Sequence, residues 1–140
     1  MVRIIKIVAV IAVLAVAAGC CRCKRSSRTA EPFTGTEWVL VRLMGQDIKA
    51  ADGTFRLNFS AEGRVTGRGA CNSIFGEYTL TGDGRIDLSH LGSTRMLCPD
   101  MAGENEFFAV VSGATSYEID GQMLMLFRDG EMQAVFQAVK

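Results

Sequence analysis

Histidine is almost missing from this chain: His90 is the one imidazole among 140 residues. It stands beside Leu91 and Gly92 and reads as a loop or strand-end residue rather than a base. There is no Gly-x-Ser-x-Gly, no His-Glu-x-x-His and no phosphate-binding glycine loop, so no nucleophile elbow, zincin helix or nucleotide cradle is written into the sequence. Glu104 and Glu106 lie two apart on an expected helix and do not face each other, which leaves no carboxylate pair for hydrolysis. The two body cysteines, Cys71 and Cys98, lie in no Cys-x-x-Cys, which argues against a redox-active dithiol there. Acids are missing from the first thirty residues, while six of the fifteen bases (Arg3, Lys6, Arg22, Lys24, Arg25 and Arg28) lie there. The remainder holds nine bases against fifteen acids, a net charge of −6, and an acidic body of this kind does not suit nucleic acid. The expectation is a protein that is not an enzyme and holds no cofactor and no metal.

What is present at the start is a processing signal. Arg3 and Lys6 precede an apolar run from Ile7 to Ala18, too short to span a bilayer comfortably. It ends Ala17-Ala18-Gly19-Cys20, which resembles a bacterial lipobox with Ala17 where leucine is usual. On this reading residues 1–19 are a lipoprotein signal peptide and Cys20 is the lipidated mature N-terminus. An ordinary secretory signal and a short membrane anchor are the competing readings. Acyl chains stabilise membrane association by about 0.8 kcal/mol per buried methylene. Cys21 rather than Asp follows Cys20, which in Gram-negative bacteria favours the outer membrane. The expected location is the cell envelope, lipid-anchored in the outer membrane and facing the periplasm. Residues 20–35 form a lipidated N-terminus and basic tether, able to lie against anionic headgroups or to act as a soluble linker. Cys21 and Cys23 read as exposed thiols rather than a metal site, because no second ligand pair follows at a suitable spacing.

The body, residues 36–140, is large enough for one core. Trp38 to Leu43 reads as a strand apolar on both faces, hence buried on both. Phe55, Leu57 and Phe59 alternate with polar residues and predict a strand with one wet face. Strands are also expected at Arg64–Thr66, Tyr78–Thr81, Arg85–Leu88, Ser116–Ile119, Met123–Phe127 and Met132–Val139. Turns are expected at Asp83-Gly84, Asp120-Gly121 and Asp129-Gly130, whose aspartates are turn residues rather than calcium ligands. One helix is predicted from about Pro99 to Ser112. Its acids suit the positive N-terminal end, Met101, Phe108 and Val111 share a face widened by Phe107 and Val110, and Gly113 stops it. The pattern is α+β: an antiparallel sheet curled around, or covered by, one helix.

Two short runs hold the remaining cysteines. Gly67 to Tyr78 is a glycine-studded corner centred on Cys71, and Ser93 to Cys98 precedes the helix. With Cys20 lipidated, four cysteines allow three connectivities. Outside the cytoplasm Cys71 and Cys98 are expected to pair, closing a loop of about 28 residues worth roughly 3–4 kcal/mol in the chain-entropy model. The alternative is two buried free thiols acting as small hydrophobes.

Gly67 through Tyr78 contains G-x-x-x-C-N-x-x-x-G-x-Y, and Thr94 to Cys98 gives T-x-M-x-C. With Trp38 at the start and Leu124-Met125-Leu126 near the end, the body resembles the META domain, a family that includes the HslJ-type heat-shock lipoproteins. The family often has glycine directly before the first cysteine; here Ala70 stands there and Gly69 lies one earlier. The resemblance implies an antiparallel, partly open β-barrel-like sheet with one packed α-helix. It also implies an envelope-stress or secretion-associated role with no catalytic residue. Gly67, Asn72, Gly76, Tyr78, Thr94 and Met96, with the two cysteines, carry over as structural motif positions.

The function expected is therefore binding or stabilising an envelope component under stress. The partners are the membrane, through the lipid anchor, and an envelope protein or apolar ligand. A second reading is a carrier holding an acyl chain or other apolar molecule within the curled sheet, lined by Phe55, Phe59, Met123, Met125 and Phe127. A third, by analogy alone, is an inhibitor presenting residues 46–53 to a secreted hydrolase.

Overall fold

A computed structural model describes residues 29–140. The expected signal peptide, the expected lipidation site Cys20, and Cys21 and Cys23 lie outside the described residues. Strands come in the order β1 (Glu37–Leu43), β2 (Gln46–Asp47), β3 (Arg56–Phe59), β4 (Arg64–Arg68), β5 (Ser73–Glu77), β6 (Thr79–Thr81), β7 (Arg85–Asp87) and β8 (Leu91–Ser93). Helix α1 (Glu104–Ser112) then leads to β9 (Ser116–Asp120), β10 (Met123–Arg128) and β11 (Glu131–Val139). The pairings are antiparallel, and the spatial order is β6-β7-β9-β10-β11-β1-β3-β4-β5-β8, with β2 folded onto the last residues of β1.

The two flanks of this sheet are one length of chain. β5 pairs with β4 and β6 with β7, and only Tyr78 separates β5 from β6. The sheet is a curled half-barrel joined by a strand that bends at Tyr78. The tyrosine is therefore not the first residue of a strand, as the sequence suggested. It leaves the ladder and its N–H donates to the Gly63 carbonyl at 2.9 Å. Its hydroxyl donates to the Ser60 carbonyl at 2.6 Å. Its ring meets Phe59 and Phe33 edge-on, with centroids 5.3 and 5.5 Å apart. Burial, with smaller contributions from Tyr117 and Glu62, pushes its pKa up.

β1 is buried on one face only. Trp38, Leu40 and Leu43 point into the core, and a bulge between Leu40 and Arg42 keeps Leu43 facing inward. Val39 and Val41 lie half-buried on the other face, beside the chain from Ala50 to Thr54. Phe55 is not part of the alternation of β3. It precedes the strand in a left-handed conformation, φ +48°, and its ring packs edge-on against Phe107 of α1. Asp83-Gly84 and Asp129-Gly130 form the expected tight hairpins, with both central residues at positive φ. Met44-Gly45 makes a third such turn, unforeseen from sequence, between β1 and β2.

The helix begins at Glu104, five residues later than expected. Gly103 at φ +76° breaks the turn before it, and the chain from Pro99 to Ala102 instead returns from Cys98. The buried face is Phe107, Val110 and Val111 together with Glu104. The last turn has no base of its own. Arg128 on β10 supplies one, donating from Nε to Gly113 O at 3.0 Å and from Nη2 to Ala109 O at 3.1 Å. The Ala109 carbonyl also accepts the Gly113 N–H at 3.1 Å, so Arg128 adds a second donor there and a partner for Gly113 O, and its charge suits the negative pole.

Two aromatic groups close the ends. At the start of β3, Phe55 and Phe107 pack together. At its end Phe59 stacks on Phe33 at 4.3 Å, and Phe33 also meets Tyr117 at 4.7 Å. Phe33, grouped with the tether by sequence, is thus a plug. Its carbonyl accepts the Trp38 indole N–H at 3.1 Å, and the Glu31 N–H donates to Gly121 O at 2.8 Å. Four residue steps from Phe55 to Phe59 separate the groups by about 13 Å.

Replacing Tyr78 with Phe keeps the ring packing and deletes the Ser60 bond. Urea unfolding of the variant should show a loss of about 1 kcal/mol; a midpoint equal to that of the parent would mean the bond contributes nothing to closure.

Candidate functional site

The residues that carry the family resemblance converge on a carboxylate the sequence reading had set aside. Glu104, the first residue of α1, is 8 % exposed. One oxygen, Oε2, accepts the backbone N–H of Cys71 at 2.5 Å and of Asn72 at 2.8 Å. The other, Oε1, accepts from the Asn72 side-chain amide. Gly69 supplies the room: a Cβ there would sit 3.0 Å from both Cγ and Oε2 of Glu104. The glycine displaced by one position from the family pattern is therefore the one that lies against the carboxylate.

Asn72 joins this carboxylate to the second motif. Its Oδ1 accepts the Thr94 hydroxyl at 2.9 Å and the Met96 N–H at 2.6 Å. Its Nδ2 also donates to Met96 O at 3.2 Å. Thr94 Oγ1 in turn accepts the Ser73 N–H at 3.0 Å. Beside these bonds Cys71 and Cys98 form a disulfide, with Cα atoms 6.0 Å apart. Cys71, Asn72, Thr94, Met96 and Cys98 are thus brought together around Glu104. Met96 contributes its backbone, while its side chain is 51 % exposed, and Leu97 is 96 % exposed.

Gly67, Gly76 and Tyr78 serve the sheet instead. A Cβ on Gly67 would lie 2.4 Å from Arg56 O across the β3–β4 pair, and one on Gly76 would lie 2.3 Å from His90 O. Both glycines allow close backbone approach. Glu104 was legible in one respect: it lies three and seven residues before Phe107 and Val111, on the stripe that faces the core.

Burial raises the pKa of Glu104, but the bonds from Asn72 and Cys71 and the nearby Arg68 cation outweigh it and hold the carboxyl below the ordinary glutamate value. The depressed pKa means that the ionised carboxylate stabilises the fold. That contribution is complete above the ordinary value and disappears as pH falls through the folded one.

Elsewhere the candidate groups do not assemble. His90 Nδ1 lies 3.2 Å from its neighbour Ser89 Oγ, while Asp87 accepts the Ser89 backbone N–H and not the ring. Among the described residues no group of three His, Cys, Asp or Glu could hold a metal. The side chains expected to line an apolar cavity divide instead. Phe59 is in the core, whereas Met123, Met125 and Phe127 lie half-buried on the outer face of β10, with Leu124 and Leu126 inward. Trp38, Phe59, Phe107 and Phe136 fill the interior with no exposed surface. The chain from Ala50 to Thr54 walls an external cleft of about 450 Å³, floored by Val39, Val41 and Val139 and crossed by the Arg56–Glu37 ion pair at 2.6 Å.

A family model described as the META domain matches residues 31–140. A solved structure from Burkholderia xenovorans superposes with a TM-score of 0.61 at 24 % identity, covering 77 % of this chain and 84 % of that one. A DUF4847-family protein from Bacteroides vulgatus gives 0.58 at 20 % identity, covering 76 % and 93 %. These likenesses show the fold. Curated proteins gave no match.

Glu104→Gln puts an amide group, with its own donors, among the three N–H donors and should destabilise the domain by about 1–3 kcal/mol at neutral pH. The gap between parent and variant should narrow as pH falls below the ordinary glutamate pKa of about 4.3. Unfolding curves from pH 7 to 3 measure it, and a gap constant with pH would remove Glu104 from this role.

Proposed function

The chain belongs to the META domain family, and on that premise we propose a lipid-anchored envelope protein that binds or stabilises another envelope component under stress by contact, without chemistry. One observation carries the reading. The polar groups of the family signature are spent on each other: Glu104, Asn72, Thr94 and the Met96 backbone satisfy one another, and the two cysteines are joined. Such a site holds a shape, which leaves recognition to the surface around it. The anchor is supported by the Ala17-Ala18-Gly19-Cys20 sequence after an apolar run. Carriage of an apolar ligand inside the sheet is the weaker reading, because large side chains already occupy that space.

Fractionation of cells producing the parent and Cys20→Ala tests the anchor. The parent should sediment with membranes and carry acyl mass on Cys20, and the variant should accumulate with its leader uncleaved. A variant processed and released like any secreted protein, or a parent without acyl mass, would rule out lipidation.

A further inference from the structure

Leu97 is a large apolar side chain 96 % exposed, next to Met96 at 51 %. Isolated exposed apolar residues are common, but these two stand on an unusually fixed loop. On one side Met96 is held at both its N–H and its carbonyl by the Asn72 amide. On the other, Cys98 is bonded to Cys71. Leu97 is the residue between the two restraints. A short apolar segment fixed in water gains nothing for the fold. It does remove in advance the ordering cost of fitting a shaped cavity.

The position of this tip narrows what it meets. The motif residues and α1 lie at the Phe55–Phe107 end of β3, while residues 29–33 enter at the Phe59 end, where Phe33 is the plug. The chain toward the proposed anchor therefore leaves the described body at the end opposite the tip. Arg95 and Asp100, both exposed, bracket the tip with charges of both signs. That suits a protein rim better than an anionic bilayer, which would repel Asp100. A fluid bilayer also gains little from a rigid two-residue wedge.

We propose that Met96-Leu97 is a preformed finger that inserts into an apolar pocket on a partner protein facing the end of the domain away from its membrane attachment. This deepens the reading of the domain as an anchored binding module and rests on it. The test places a photo-crosslinking amino acid at position 97 of the full chain in its native cells, with the same group at exposed Met132 as control. Position 97 should give one discrete adduct with a different protein, and position 132 should not. Added purified parent protein should compete that adduct away, whereas Leu97→Asp should need about tenfold more or fail. Because Leu97 packs on little, the Asp variant should keep the parent melting temperature. A fully folded variant that competes equally would overturn the finger. So would an adduct with lipid, an adduct of twice the protein's own mass, or no adduct at 97. Membrane fractionation of the same cells reads the anchor separately. A protein that sediments but gives no adduct loses the finger alone, and one that fails to sediment loses the anchor.

Discussion

The arrangement depends on one buried carboxylate. Moving an ionised side chain out of water is costly unless it is hydrogen-bonded throughout, and Glu104 is met by three N–H donors from the Cys71-Asn72 corner. Those bonds fix where the helix begins, and with it the angle at which Phe107 and Val111 enter the core. They also fix the Asn72 amide, whose other end holds the loop through Thr94 and Met96. Helix, corner and loop are distant in sequence, yet none can shift without leaving a buried donor or acceptor unmatched. The disulfide acts on the same loop by a different route. It limits the unfolded chain, by about 3–4 kcal/mol for a loop of this length, whereas the carboxylate network specifies the folded one.

The sheet follows a comparable economy. A half-barrel has two flanks whose unpaired edges invite association. Here a single bent strand runs from one flank to the other, with β8 paired outside β5, and Tyr78 fixes the bend through the Gly63 and Ser60 carbonyls. Phe33 fills one end and the helix the other. The interior is therefore solid, and the most exposed large apolar side chain, Leu97, stands outside it beside the second cysteine.

Much of this was readable from sequence where local chemistry decides. The meander after the helix was visible because alternating residues and Asp-Gly turns act within a few positions. The pairing of Cys71 with Cys98 was expected from position and from the compartment that the leader suggests. Long-range contacts were not visible. Ser73–Glu77 looks like a corner because of its glycine, yet it is a strand, since Gly76 must admit the His90 carbonyl. The helix start was misplaced because Pro99 is a good first residue locally, while the disulfide commits Cys98 elsewhere. Glu104 reads in sequence only as an acid suited to a helix N-terminus, because nothing in a single sequence shows that Gly69 leaves a space of its size.

The central claim is that Asn72 and Glu104 act as one unit, and a double-mutant cycle measures it most directly. Asn72→Ala, Glu104→Ala and the double variant, each unfolded in urea with the disulfide intact, give the coupling energy. The account predicts non-additivity of about 1–3 kcal/mol, as for residues in one buried network. Losses that simply add, to within about 0.5 kcal/mol, would contradict it.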